Sequence, residues 1–134
     1  MNTANYIGTW LLIPELCIYQ NGEPPLRGIY EIQSDGTEVR ISVNWTDKEG
    51  AEHAIEYGGA IDGSKHPIDA SGTTSTVYFR VDENTLESTV YDNDRKTMYA
   101  RRIVSAANDL LATVQVQYRP EGNLSNFQVY RRET

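Results

Sequence analysis

The sequence predicts an all-β protein, an antiparallel up-and-down β-barrel of about eight to ten strands. Three observations predict it. Apolar and polar residues alternate with a period of two through almost every segment. The segments are separated by short breaks rich in Gly, Asp, Asn and Pro, so sequence neighbours pair as a meander. The 134 residues suit one domain, 1–134, with a single core.

The first strand covers residues 6–13 and stops at Pro14, which has no N–H to give to a ladder. Residues 14–26 hold three prolines and a glycine, too broken for a helix pair, and are expected to loop across one barrel mouth. Strands follow at 27–33 and 37–45, joined by Ser34-Asp35-Gly36, and at 52–57 after Asp47-Lys48-Glu49-Gly50. Residues 58–74, rich in Gly, Ser and Asp, read as a flexible rim with a short extra strand at 64–68, where Pro67 fits an edge or a bulge. The meander resumes at 75–82, 85–91, 95–104, 109–118 and 124–132. Asp82-Glu83-Asn84, Asp92-Asn93-Asp94, Ala107-Asn108 and Pro120-Glu121-Gly122-Asn123 make its turns.

Alternation also nominates an inward face. The apolar sets are Val39/Ile41/Val43/Trp45, Ile55/Tyr57, Val77/Phe79/Val81, Leu86/Val90, Met98/Ala100/Val104, Leu110/Ala112/Val114/Val116 and Phe127/Val129. Opposite them lie Arg40/Ser42/Asn44, Tyr78/Arg80, Glu87/Thr89 and Thr113/Gln115/Gln117, as a wet exterior requires. His53, Tyr57, Ser88, Arg102 and Tyr118 are the polar residues that share the inward parity.

Composition excludes several functions. Twelve basic against nineteen acidic side chains leave a net charge of −7, which repels nucleic acid and anionic lipid. No stretch reaches the roughly 20 apolar residues of a membrane span, and the N-terminus lacks the pattern of a signal peptide, so a soluble, cytoplasmic protein is expected. A lone Cys17 rules out an intrachain disulfide. His53, His66 and Cys17 lack metal-ligand spacing, and Asp92-Asn93-Asp94 lacks the Gly and Glu of a calcium loop, so no metal or other cofactor is expected. No nucleophile–base pair stands out, and the chain reads as a binder rather than an enzyme.

Gly8-Thr9-Trp10 on the first strand, the meander, and a last strand ending Tyr130-Arg131-Arg132 resemble the calycin superfamily of lipocalins, fatty-acid-binding proteins and avidins. The resemblance implies that Trp10 plugs the barrel floor, with Arg131 or Arg132 laid over the indole and Gly8 allowing close backbone approach. Asp62-Gly63-Ser64-Lys65-His66-Pro67, the run from Asp82 to Glu87 and the run from Arg102 to Ser105 are similar to an uncharacterised bacterial lipocalin-like family. Fatty-acid-binding proteins hold a ligand carboxylate with an Arg-x-Tyr on the last strand, whereas Gln128-Val129-Tyr130 stands at the matching place here.

Arg102 is the sharpest site candidate. A guanidinium on an apolar parity needs a carboxylate, a set of acceptors or an acidic ligand, and a single bulge would replace it with the rival face Tyr99/Arg101/Ile103. Tyr57 and Tyr118, with Tyr30 or Tyr130, offer hydroxyls to a ligand or simply pack the barrel. Trp45, Phe79 and His53 complete the expected lining, and Trp10 and Arg132 the structural floor. The function expected is non-catalytic binding of a small apolar or amphipathic molecule inside the barrel, entered beside 14–26 and 58–74. The alternative is a packed barrel that docks a protein partner or acts as an inhibitor through exposed Tyr78, Tyr91 and Tyr99. Nothing in the pattern sets an oligomeric state.

Overall fold

The structure is a computed structural model that describes residues 4–133. Its strands are β1 (Gly8–Leu12), β2 (Ile18–Tyr19), β3 (Arg27–Ser34), β4 (Glu38–Thr46), β5 (Glu52–Ala60) and β6 (His66–Pro67). They continue as β7 (Thr74–Asp82), β8 (Thr85–Asp92), β9 (Arg95–Val104), β10 (Leu110–Gln117) and β11 (Leu124–Arg132), and a 3₁₀ turn occupies Pro14–Leu16. All pairings are antiparallel and make one sheet in the order β5-β4-β3-β1-β11-β10-β9-β8-β7-β6. This is the up-and-down barrel that the alternation predicts. It closes without a ladder between β5 and β7: Gly59 lies against the Tyr78 ring, where a Cβ would stand 3.3 Å away.

The three prolines shape the crossing after β1. Leu12 pairs with Tyr130, the Ile13 amide donates to the Val129 carbonyl at 2.8 Å, the 3₁₀ turn bulges outward, and Ile18 resumes opposite Phe127. β1 and β2 are thus one interrupted line along β11. Because β2 bonds to β11 and not to β3, β3 has no ladder on that side at Arg27 and Gly28, and the barrel is open there.

The opposite end is closed by Trp10, fully buried, whose indole N–H donates to the Tyr6 carbonyl at 3.0 Å. Tyr6, Tyr30, Ile32, Ile41, Leu86, Val104 and Leu111 pack with it into the core. Burial of that much apolar and aromatic surface is the main force holding the ring closed.

Three strands face the other way from the sets nominated by hydrophobicity. On β7, Thr76 and Tyr78 are buried while Phe79 is 51% exposed and Val81 is exposed. On β10, Leu111 and Thr113 are buried while Leu110 is exposed, and on β11 Gln128 and Tyr130 line the interior cavity, whereas Phe127 and Val129 take the opposite parity, Val129 being buried there. The cause is register. Arg102 pairs with Thr113 and with Leu86, and Thr113 pairs with Gln128, so an inward Arg102 carries all of them inward. A polar cluster inside the barrel thus selects the less apolar face of β10. Tyr78, expected on the exterior, is 2% exposed. The short strand expected at 64–68 is β6, and β5 runs on through Gly58, Gly59 and Ala60 into the segment expected to be rim.

Candidate functional site

The open end holds a cavity of about 400 Å³. Leu12, Val43, Ile55 and Trp45 give it an apolar wall, and Tyr30, Tyr57, Tyr130, Gln115 and Gln128 supply its polar groups. Its lip is formed by Tyr19, Glu23 and Pro25 on one side and by the β4–β5 turn, Asp47, Lys48 and Glu49, on the other. Lys48 and Glu23 form an ion pair of 3.4 Å between the two. The segment 14–26 therefore borders the entrance as expected. The second border is the β4–β5 turn rather than 58–74, because the break in pairing lies between β2 and β3, across the barrel from that segment.

Two hydrogen-bonded clusters lie beneath and beside this cavity. In the first, Arg102 is 2% exposed; its Nε donates to the Tyr30 hydroxyl at 2.6 Å and its Nη1 to Ser88 Oγ at 3.1 Å. The Tyr30 and Tyr57 hydroxyls are 3.3 Å apart. Among the described residues no carboxylate pairs with this guanidinium. In the second, Gln128 Oε1 accepts from Thr113 Oγ1 at 3.1 Å and from the Tyr130 hydroxyl at 3.0 Å, while its amide nitrogen donates to Tyr19.

Burial sets the protonation of these groups. It pushes the phenols of Tyr30 and Tyr130 far above their ordinary range and that of Tyr78 up to about 12, so all three are neutral donors at physiological pH. The guanidinium stays charged under any such condition. The interior is a fixed cation surrounded by neutral hydroxyls and amides.

The structure brings Arg102, Tyr57 and Trp45 to one end of the barrel interior and separates them from three other candidates. Phe79 sits half exposed on the outer face against Gly63, because β7 turns Tyr78 inward. Tyr118 lies past the end of β10, where its amide donates to the Thr97 carbonyl at 2.9 Å, and it is not among the residues that line the cavity. His53 is exposed and lines an outer groove rather than the cavity: it stacks on Trp45 with centroids 5.1 Å apart, and its Nε2 lies 2.8 Å from Asp47 Oδ2. That contact, with backbone N–H groups from the turn, holds the Asp47 carboxyl below its ordinary range. Arg101 points outward, 3.6 Å from Glu87, which also accepts from Tyr99 at 2.5 Å. At the floor, Trp10 pairs with Arg132, while Arg131 faces an outer groove with Leu11 and Ile29.

Tyr19, Gln115 and Gln128 escape a reading that ranks faces by hydrophobicity. The signal that finds them is register: once Arg102 is placed inward, counting across the two hairpins places Thr113, Gln115 and Gln128 on the same face.

No protein-family model and no curated protein matches the chain. Solved structures do. A point mutant of the fluorescent protein UnaG superposes with a TM-score of 0.65 at 13% identity over 97% of each chain. Zebrafish ileal bile acid-binding protein complexed with cholic acid gives 0.57 at 9% identity, over 97% of this chain and all of that one. A protein of unknown function from the DUF3598 family of Nostoc punctiforme gives 0.58 at 16% identity; the match covers 97% of this chain and 48% of that protein, about half its length. Likeness at these identities speaks to architecture. The chain has the calycin fold, a barrel of the lipocalin and fatty-acid-binding-protein type.

Proposed function

We propose that the protein binds a small amphipathic molecule in the barrel cavity without transforming it, the apolar body against Leu12, Val43, Ile55 and Trp45 and the polar end directed at the Arg102–Tyr30–Tyr57 cluster. The observation that carries this reading is a cavity of about 400 Å³ below which a buried guanidinium has neutral partners alone among the described residues. The volume is typical of a small-molecule site. A buried charge without a counter-ion raises the free energy of the fold, and a ligand acceptor brought into its field offsets that cost. The structural neighbour complexed with cholic acid supports a ligand with an acidic end on an apolar frame.

The test is saturable binding. Anilinonaphthalene sulfonate should form a one-to-one complex, seen by native mass spectrometry and by quenching of Trp45, and cholate or laurate should displace it. Val43→Trp, which fills the cavity, should abolish that complex. Absence of displaceable binding, or binding undiminished in Val43→Trp, would remove the reading.

A further inference from the structure

The cavity-binding reading leaves open which ligand atom the site selects, and the hydrogen-bond count inside the barrel answers that. The Tyr30 oxygen accepts from Arg102 Nε at 2.6 Å. Tyr30 borders the cavity but is 2% exposed, so until a ligand enters its own proton is paired within the protein. Among the described residues, the acceptor in reach is the Tyr57 oxygen at 3.3 Å. A phenol has one proton, and the pair is thereby oriented: Tyr30 donates, Tyr57 accepts. Tyr57 lines the cavity; its oxygen faces the Tyr30 hydroxyl and lies within reach of the Arg102 guanidinium, both of which use it as an acceptor, and this leaves its own proton for a third partner. Gln128, a neighbouring polar group, has its carbonyl filled by two donors and one of its two amide hydrogens engaged with Tyr19.

We infer that the Tyr57 hydroxyl is the donor that contacts the ligand, that Arg102 is a positioning residue acting through Tyr30, and that the ligand atom buried against Tyr57 is an acceptor, a carbonyl or carboxylate oxygen. A run of donors that starts at a permanent cation strengthens each hydroxyl along it as a donor. The same arrangement rejects an ammonium head, which meets a proton where it needs a lone pair and lies in the field of an uncompensated guanidinium. Arg102 thus selects ligands from one layer behind the cavity wall.

Three probes sharing one twelve-carbon chain test this: laurate, methyl laurate and dodecylammonium, each competed against anilinonaphthalene sulfonate on the full chain. Laurate and methyl laurate should displace the dye, and dodecylammonium should need at least about tenfold more. Tyr57→Phe keeps the ring, so the barrel stays packed, and should weaken both acceptor probes roughly three- to tenfold. Tyr30→Phe added to Tyr57→Phe should change their affinity by less than about twofold, because the relay then has no last member. Dodecylammonium binding as tightly as laurate overturns the inference without any variant, and so does unchanged affinity in Tyr57→Phe; both outcomes leave the cavity reading standing. Failure of all three probes and the dye removes that reading and this inference together.

Discussion

The Arg132 guanidinium lies over the Trp10 indole, its central carbon 4.1 Å from the ring centroid, and the two residues are cross-strand partners on β11 and β1. Its N–H groups reach the carbonyls of Ile7 at 3.1 Å, Asn5 at 2.6 Å and Asn108 at 2.9 Å, and the Asn108 side chain at 2.8 Å. One side chain therefore ties the entry to β1, the β9–β10 turn and the last strand to the floor indole. Lysine, with a single ammonium, has no such fork.

Gly8 makes room for that arrangement. A Cβ there would stand 2.7 Å from Arg132 Nη1, and the backbone φ of +146° disfavours any L side chain. Gly8→Ala should cost about 1–3 kcal/mol, read as a lower urea midpoint at unchanged slope. In an Arg132→Ala background the same substitution should cost measurably less, because the steric partner is gone. Equal costs in both backgrounds would place the whole effect in the backbone.

These cases show what the alternation reveals and what it hides. A period of two tells which residues share a face, and short turns set the order of strands, so the barrel is legible; the floor position of Trp10 is legible only through the resemblance of Gly8-Thr9-Trp10 to the calycin motif. The alternation does not say which face is inside. On β9 the apolar set Met98/Ala100/Val104 and the inward face coincide, and Arg102 is carried inward with them. On β7 and β10 the more apolar sets face out: Thr113 of β10 bonds to Gln128 inside the barrel, and Tyr78 of β7 is carried inward by its register with Ser88, which accepts from Arg102. The site departs from the hydrophobic rule where it holds Arg102, and the neighbours of Arg102 inherit that departure through register.

Asp35 caps the β3–β4 turn: its Oδ1 accepts from the Thr37 and Glu38 amides at 2.9 Å and from the Thr37 hydroxyl at 2.8 Å. These bonds, the Glu38 amide first, hold its carboxyl at about 2 against an ordinary 3.8. The folded state binds fewer protons than the unfolded chain in that interval, so the stabilisation is complete above about pH 5 and is lost as pH falls toward 2. Asp35→Asn removes the titration, and the stability difference between wild type and variant should be constant above about pH 5 and shrink below it. A difference that does not change with pH in acid unfolding curves would contradict this.

The buried phenols give the opposite limb. Tyr78 is held up to about 12 by burial, and Tyr30 and Tyr130 are shifted further in the same direction. Above about pH 10 the unfolded chain releases these protons and the native state keeps them, so stability falls as pH rises. Phenolate absorbance should then appear in two stages, the exposed tyrosines first and the buried set together with loss of near-ultraviolet circular dichroism. Complete tyrosine ionisation in a protein that remains folded at pH ~10.5 would refute the burial argument.

Arg102 separates stability from binding. A buried cation with neutral partners contributes little to the fold, and replacing such a charge by an apolar side chain of similar length is often neutral or stabilising. Arg102→Met should therefore melt no lower than wild type, whereas Arg102→Ala, which also leaves a void, should lose about 2–5 kcal/mol. Laurate affinity should fall in both, since the donor chain through Tyr30 to Tyr57 has lost its cation. The decisive comparison is Arg102→Met. A variant as unstable as Arg102→Ala would assign the guanidinium to holding the barrel together; a stable variant that no longer retains laurate would assign it to the ligand.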